Sequence, residues 1–122
     1  MATPDTVVLP PSLVLGIPQT SIFFDLGRKT LLPADEALLD ELATSLRAFP
    51  QLRVRLTGYA DKTGSPAANL KLSQARAAAV QSYLEAQGIA SDRIEASFLG
   101  DTATRYRTGA FDRRVDIELM ME

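Results

Sequence analysis

The sequence predicts an α/β (α+β) sandwich in which two main helices pack on one mixed parallel and antiparallel sheet. Four short runs have the apolar or alternating pattern of strands, and two longer runs repeat apolar residues at helical spacing. These runs follow the order β-α-β-α-β-β along the chain. Each helix between two strands is a crossover that favours a right-handed parallel pairing, and the final two strands can add an antiparallel partner.

An aromatic run and a proline mark the first strand and the first helix. Residues 21–26 are short, apolar and aromatic, and Gly27 closes them, which is typical of a buried strand. Pro33 suits the first turn of a helix. Leucines then recur at helical spacing, which predicts an amphipathic helix over about residues 33–48 that ends before Pro50.

The second half of the chain repeats this strand and helix pattern. Residues 51–58 alternate apolar and polar side chains, as expected of a strand with one exposed face. A second helix is predicted from Pro66 to Gln87, because its apolar residues recur at helical spacing and a glycine follows it. Residues 92–99 and 114–119 alternate again and are predicted as the last two strands.

The remaining segments are predicted as a linker and a loop. Residues 1–19 are proline-rich and are expected to form an extended lead-in, with a short edge strand at residues 6–9. Residues 100–112 are polar, rich in arginine and without a period, which favours a loop. The folded domain is therefore expected over residues 20–122.

The composition excludes several kinds of chemistry. The 122 residues suit one domain, and they include neither cysteine nor histidine, which rules out histidine-dependent nucleophilic triads, Cys/His zinc sites and iron–sulfur clusters. The 13 basic and 15 acidic residues give a net charge of −2, which argues against a dedicated nucleic-acid-binding protein. No secretory signal or membrane span is predicted, and neither a cofactor nor an enzymatic activity is expected.

An arginine on the apolar face of the second predicted helix is the most informative residue. Leu72, Val80 and Leu84 lie on one helical stripe, and Arg76 falls between them. A guanidinium on an apolar face is costly unless it is paired. Asp61 can supply the partner, because it lies in the loop before this helix, and such loops lie over the carboxyl ends of strands.

The residues alone leave two interpretations of this pair open. In one, Asp61 and Arg76 form a structural ion pair that holds the loop to the helix. In the other, Asp61 binds an ammonium group and Arg76 binds a carboxylate through its planar fork, which together match the head group of an amino acid. A nucleotide site is disfavoured, because residues 58–64 have neither the P-loop lysine nor the dinucleotide-binding spacing.

The other charged clusters have simpler interpretations. Asp116 and Glu118 alternate with apolar residues and are expected on a solvated strand face. Four arginines concentrate near the predicted 100–112 loop and are expected to form a solvated rim that could touch an anionic ligand. They are Arg105, Arg107, Arg113 and Arg114.

At these residues the sequence resembles the OmpA-like peptidoglycan-binding domain of OmpA, Pal and MotB proteins, over about residues 20–120. The run GYADKTGS at residues 58–65, with Asn69 after it, is similar to the family's G-x-x-D-x-x-G and spaced Asn. The run LSQARA at residues 72–77 is similar to L-S-x-x-R-A. The run IFFD at residues 22–25, followed by LP at residues 32–33, resembles the family's first strand and helix entry. The run RRVDI at residues 113–117 resembles its closing segment.

The resemblance implies a non-catalytic domain that binds the diaminopimelate residue of peptidoglycan stem peptides in the bacterial periplasm. Such a domain anchors an envelope protein to the cell wall, with any membrane anchor in another part of the parent protein. By this analogy Asp61 and Arg76 contact the amino and carboxylate groups of diaminopimelate. Asn69, Thr63 and Arg113 match positions that line the family's pocket.

The sequence departs from the family pattern at two places. Asp112 stands where the family usually has asparagine, which adds a negative charge beside the site. Residues 100–105 lack the usual G-x-G-E-x-x-P form. These departures keep an alternative open, in which the same fold is a protein–protein interaction module of an envelope complex with a weakened or lost peptidoglycan site.

Overall fold

The computed structural model describes residues 20–102 and 112–121, which form two helices packed on a four-stranded sheet. The predicted order β-α-β-α-β-β is confirmed. The predicted lead-in, its edge strand and most of the 100–112 loop lie outside the described residues. The elements are β1 (Thr20–Phe23), α1 (Pro33–Ala48), β2 (Leu52–Gly58), α2 (Pro66–Ala86), a 3₁₀ helix (Ser91–Arg93), β3 (Ile94–Phe98) and β4 (Arg114–Met121).

The sheet has the strand order β1-β4-β2-β3. The predicted parallel crossover pairing is right for β2 and β3, which are direct neighbours. It is wrong for β1 and β2, because β4 lies between them and pairs antiparallel with both. The first helical crossover therefore spans two strand positions, and the last strand of the chain fills the gap.

The hydrophobic core lies between the helices and one face of the sheet. The alternation in β2 places Leu52, Val54 and Leu56 on this face, where they are fully buried. Buried apolar residues of both helices pack against them, among them Leu46 of α1 and Leu84 of α2. Burial of each such side chain contributes about 1.5–3 kcal/mol to stability.

The opposite face of the sheet is polar. Arg55 of β2 lies 3.6 Å from Glu95 of β3 and 3.3 Å from Glu118 of β4. Ser21 of β1 donates a hydrogen bond of 2.6 Å to Asp116 of β4. These cross-strand pairs support the prediction that the acidic residues of β4 lie on a polar strand face.

Two strands differ from their predicted form. In β3 only Ile94 is buried, whereas Ala96 and Phe98 are exposed and do not form the predicted apolar face, because β3 is an edge strand. β1 ends at Phe23 rather than at residue 26, because the chain then makes a turn in which Arg28 N donates to the Asp25 oxygen at 2.9 Å.

Candidate functional site

The site lies at the end of the sheet where β2 ends and β4 begins. The backbone holds this corner together, since Phe24 N donates to the Arg113 oxygen at 2.7 Å and Tyr59 N donates to the Arg114 oxygen at 2.8 Å. The β1–α1 segment and the loop between β2 and α2 therefore meet the start of β4. Carboxyl ends of strands in α/β sheets are the usual place for a ligand crevice.

Gly58 allows α2 to lie directly against the end of β2. A Cβ atom at this position would clash with the backbone carbonyl of Ser73 and lie 3.3 Å from the Ala77 Cβ. The Ser73 hydroxyl also accepts a hydrogen bond of 2.9 Å from Gly100 N. The part of α2 that carries Arg76 is therefore fixed against both the strand end and the turn after β3.

The loop between β2 and α2 is held firmly at the end that leads into α2. Ser65 caps α2, with its hydroxyl accepting a 3.1 Å hydrogen bond from Ala68 N. The Asn69 amide donates to the Gly64 oxygen at 3.2 Å and to the Asp101 carboxylate at 2.8 Å. Asn69 is buried, so the structure gives this predicted site residue a clear role in fixing the loop to the turn after β3.

Asp61 is buried in this loop, and both of its carboxylate oxygens accept hydrogen bonds. Oδ1 accepts from the Thr63 hydroxyl at 2.6 Å and from Thr63 N at 3.4 Å, while Oδ2 accepts from Arg113 Nη1 at 3.0 Å. Burial by itself raises the pKa of Asp61. The hydrogen bonds from Thr63 and Arg113 outweigh this effect and hold the pKa of Asp61 below its ordinary value.

Arg76 has an exposed fraction of 0% and is held by backbone carbonyls. Its Nε donates to the Arg28 oxygen at 2.8 Å, its Nη1 to the Tyr59 oxygen at 3.1 Å, and its Nη2 to the Asp25 oxygen at 3.2 Å. The guanidinium also lies 5.2 Å from the centre of the Phe24 ring. Among the described residues, two of its five N–H groups have no acceptor.

The charge of Arg76 has no direct counter-ion within the described part of the chain. The carboxylate of Asp61, whose negative charge acts on Arg76, is bound to Arg113 instead. The pKa of Arg76 is lowered to about 10, chiefly by burial; the negative charge of Asp61 opposes this shift and the positive charge of Arg113 adds to it.

The direct ion pair of the site is formed by Asp61 and Arg113, not by Asp61 and Arg76. The interpretation of Asp61 and Arg76 as a structural ion pair is therefore wrong. The expectation of a solvated rim is also wrong for Arg113, because its side chain is only 21% exposed and its Nε donates to the Phe24 oxygen at 3.0 Å.

Asp112 and Arg114 form a second, more deeply buried ion pair. Arg114 Nη1 lies 3.4 Å from the Asp112 carboxylate, and its Nε lies 2.9 Å from that of Asp116. Arg114 is therefore not part of a solvated rim either, and it balances the negative charge that Asp112 adds beside the site. Arg105 and Arg107 lie outside the described residues.

A comparison with models of protein families identifies the family of this chain. The model of the OmpA family matches residues 23–116, which is most of the chain. The chain belongs to the OmpA family. The match begins at the last residue of β1 and includes both helices and all five predicted site residues of this OmpA-family domain.

Individual relatives agree with this assignment. The chain is 45% identical over 71 residues to the peptidoglycan-binding protein ArfA of Mycobacterium tuberculosis, covering 58% of this chain and 22% of ArfA. It is 37% identical over 103 residues to outer membrane protein A of Bordetella avium, covering 80% of this chain and 53% of that protein. The chain thus spans from a fifth to about half of the length of these relatives.

A solved structure shows the same fold. The peptidoglycan-associated lipoprotein of Burkholderia pseudomallei superposes with a TM-score of 0.76 at 29% identity. The superposition covers 84% of this chain and 91% of that chain. In the described parts of this OmpA-family domain, no helix has the length and apolar character needed to cross a membrane, and no cluster of acidic side chains is suited to a metal ion.

Sequence reasoning missed the backbone groups that hold Arg76 in this OmpA-family domain. They are the carbonyls of Asp25, Arg28 and Tyr59, and a main-chain acceptor leaves no signature in residue type. The one available signal was Gly27, whose φ of +69° is in the left-handed region that glycine favours. This glycine permits the turn that brings two of the three carbonyls to the guanidinium.

Proposed function

We propose that this OmpA-family domain is a non-catalytic module that binds peptidoglycan through the diaminopimelate residue of the stem peptide. Asp61 takes the ammonium group of that residue and Arg76 takes its carboxylate. In this role the domain anchors an envelope protein to the cell wall from the periplasm. The observation that carries the proposal is the complete burial of Arg76 without a carboxylate bound to it in the described structure.

The chemistry of the two groups supports this ligand. The free end of diaminopimelate carries an ammonium and a carboxylate on one carbon atom, so its two charges are a fixed short distance apart. The unfilled N–H groups of Arg76 can bind the carboxylate, and the Asp61 carboxylate retains capacity for one more donor. A buried charge that lacks a partner costs several kcal/mol, so a ligand that supplies the partner gains affinity.

The relatives support the same partner and location. ArfA is named as a peptidoglycan-binding protein, and the Burkholderia lipoprotein is named as peptidoglycan-associated. The other relatives include outer membrane proteins of Bordetella and Haemophilus. The pairing of Asp112 with Arg114 also removes one reason to expect a weakened site.

Cosedimentation with purified sacculi tests this function. We expect the domain to pellet with sacculi at low and moderate salt, and Asp61→Asn to remain in the supernatant. Lys71→Gln is a matched control, because Lys71 is exposed on α2 and forms no ion pair among the described residues. A wild-type domain that stays in the supernatant would overturn the proposal and favour the protein–protein interaction module instead.

A further inference from the structure

Two guanidinium groups of the site share one carboxylate. Among the described residues, the carboxylate of Asp61 is the one that contacts either Arg76 or Arg113, and it contacts Arg113. A ligand carboxylate bound by Arg76 would leave further N–H donors at this corner of the sheet without an acceptor. A ligand that brings a second anion can fill them.

Arg113 is the group placed to receive that anion. Two of its N–H groups are used, one on the Phe24 oxygen and one on the Asp61 carboxylate, each at 3.0 Å. The remaining three donors have no acceptor among the described residues. Its side chain is 21% exposed, so a ligand can reach it.

The two existing contacts also fix the orientation of this guanidinium. Its Nε is held by the backbone that follows β1, and its Nη1 is held by the loop that follows β2. A guanidinium held at two points has lost most of its rotational freedom before a ligand arrives. Binding of a planar carboxylate to its free edge therefore costs little additional entropy.

We infer that Arg113 is a specificity-determining residue that binds a second carboxylate of the stem peptide, distinct from the one bound by Arg76. This inference rests on the proposed function. A stem peptide offers two sources of this chemistry, namely the α-carboxylate of its γ-linked glutamate and its C-terminal carboxylate. The domain therefore discriminates between free-acid and amidated peptidoglycan.

Titration calorimetry with three synthetic peptides tests the inference. The first is L-alanyl-γ-D-glutamyl-meso-diaminopimelate as the free acid, and the other two carry a carboxamide at the glutamate or at the C-terminus. We expect one of the two amides to bind the wild-type domain about tenfold more weakly than the free acid, and its identity tells which carboxylate Arg113 binds.

Variants assign this difference to Arg113. We expect Arg113→Gln to bind the free acid and both amides with equal affinity, and Lys71→Gln to keep the wild-type difference. Arg113→Lys keeps the charge and a donor to Asp61, so it supplies a folded variant if Arg113→Gln melts early. In Arg113→Lys the difference should shrink, because an ammonium cannot bind a carboxylate in the bidentate manner.

The outcomes separate this inference from the proposed function. If the wild-type domain binds all three peptides equally, or if Arg113→Gln keeps the difference, the role of Arg113 is overturned while peptidoglycan binding stands. If the free-acid peptide does not bind the wild-type domain, or binds Asp61→Asn as tightly as wild type, both proposals are overturned.

Discussion

At the scale of single residues, the two arginines of the site differ in how they are held. Arg76 is buried and held by backbone carbonyls, whereas Arg113 is half-buried and forms the ion pair with Asp61. The burial of Arg76 follows from helical spacing, so it could be predicted. The partner of Asp61 could not be predicted, since Arg113 lies 52 residues away, immediately before a strand whose position depends on the whole sheet.

Replacement of Asp61 should affect binding more than stability. In Asp61→Asn the side chain keeps its shape and can still accept from Thr63, so we expect a loss of about 1–2 kcal/mol in the free energy of unfolding. The loss of a charge-assisted contact to the ligand should cost about 2–5 kcal/mol of binding. A thermal melt and a sacculus pull-down on the same sample measure both. A near-normal melt with undiminished retention contradicts the role of Asp61.

The lowered pKa of Asp61 predicts a defined pH dependence. A carboxyl whose pKa is lower in the folded state than its unfolded value of 3.8 contributes stability above that value and loses it as the pH falls through the folded pKa. We therefore expect the difference in unfolding free energy between wild type and Asp61→Asn to be constant above about pH 5 and to shrink below about pH 4. Urea titrations from about pH 2 to pH 7 measure this difference. If the difference in unfolding free energy between the two proteins disappears near neutral pH, the lowered pKa of Asp61 is contradicted.

At the scale of secondary-structure elements, contacts between loops decide the shape of the site. The sequence predicts α1 at its observed bounds and β2 to within one residue, because each has a clear period and a terminating residue. It does not predict the burial of β3 correctly. Alternation identifies the faces of a strand, but whether a face is covered depends on its place in the sheet.

Variants of Asn69 test whether this residue stabilises the loop between β2 and α2. If Asn69 acts by joining the loop to the turn after β3, removal of its partner should have the same effect as removal of Asn69. We expect Asn69→Ala and Asp101→Ala each to lower the free energy of unfolding by about 1–2 kcal/mol, and the double variant to lose little more than either one. Denaturant unfolding of the four proteins gives the coupling energy. Additive losses would show that the 2.8 Å hydrogen bond contributes little.

The absence of a side chain at Gly58 is predicted to be essential for the packing of α2 against β2. In Gly58→Ala the added methyl group meets the backbone of Ser73, which cannot rotate away as a side chain can. We expect a loss of about 1–3 kcal/mol or more in the free energy of unfolding, because α2 must shift away from β2. Gly88→Ala serves as the control, since no atom lies within 4 Å of the position that a Cβ would take there. Its positive φ should give only a loss of about 1 kcal/mol. Equal losses in the two variants contradict the contact.

At the scale of the whole molecule, the proposed function predicts a preference for one type of cell wall. If Arg76 binds the side-chain carboxylate of diaminopimelate, the domain should bind lysine-type peptidoglycan, which lacks that group, at least about tenfold more weakly. The physical reason is that Arg76 would remain buried without an anion. Calorimetric titration with muropeptides of the two types measures the preference. Equal affinities would remove Arg76 from the proposed contact.

The position of β4 in the middle of the sheet has a consequence for the order of folding. The last strand of the domain separates β1 from β2, so neither can complete its backbone pairing until the C-terminal residues have been synthesised. Pairings between such distant segments are slow to form, because the chain entropy of a long loop must be lost first. The same insertion brings Arg113 to Asp61. A nascent chain that ends before residue 113 therefore lacks both β4 and the contact of Arg113 with Asp61, and the complete site can form only after these residues have been synthesised.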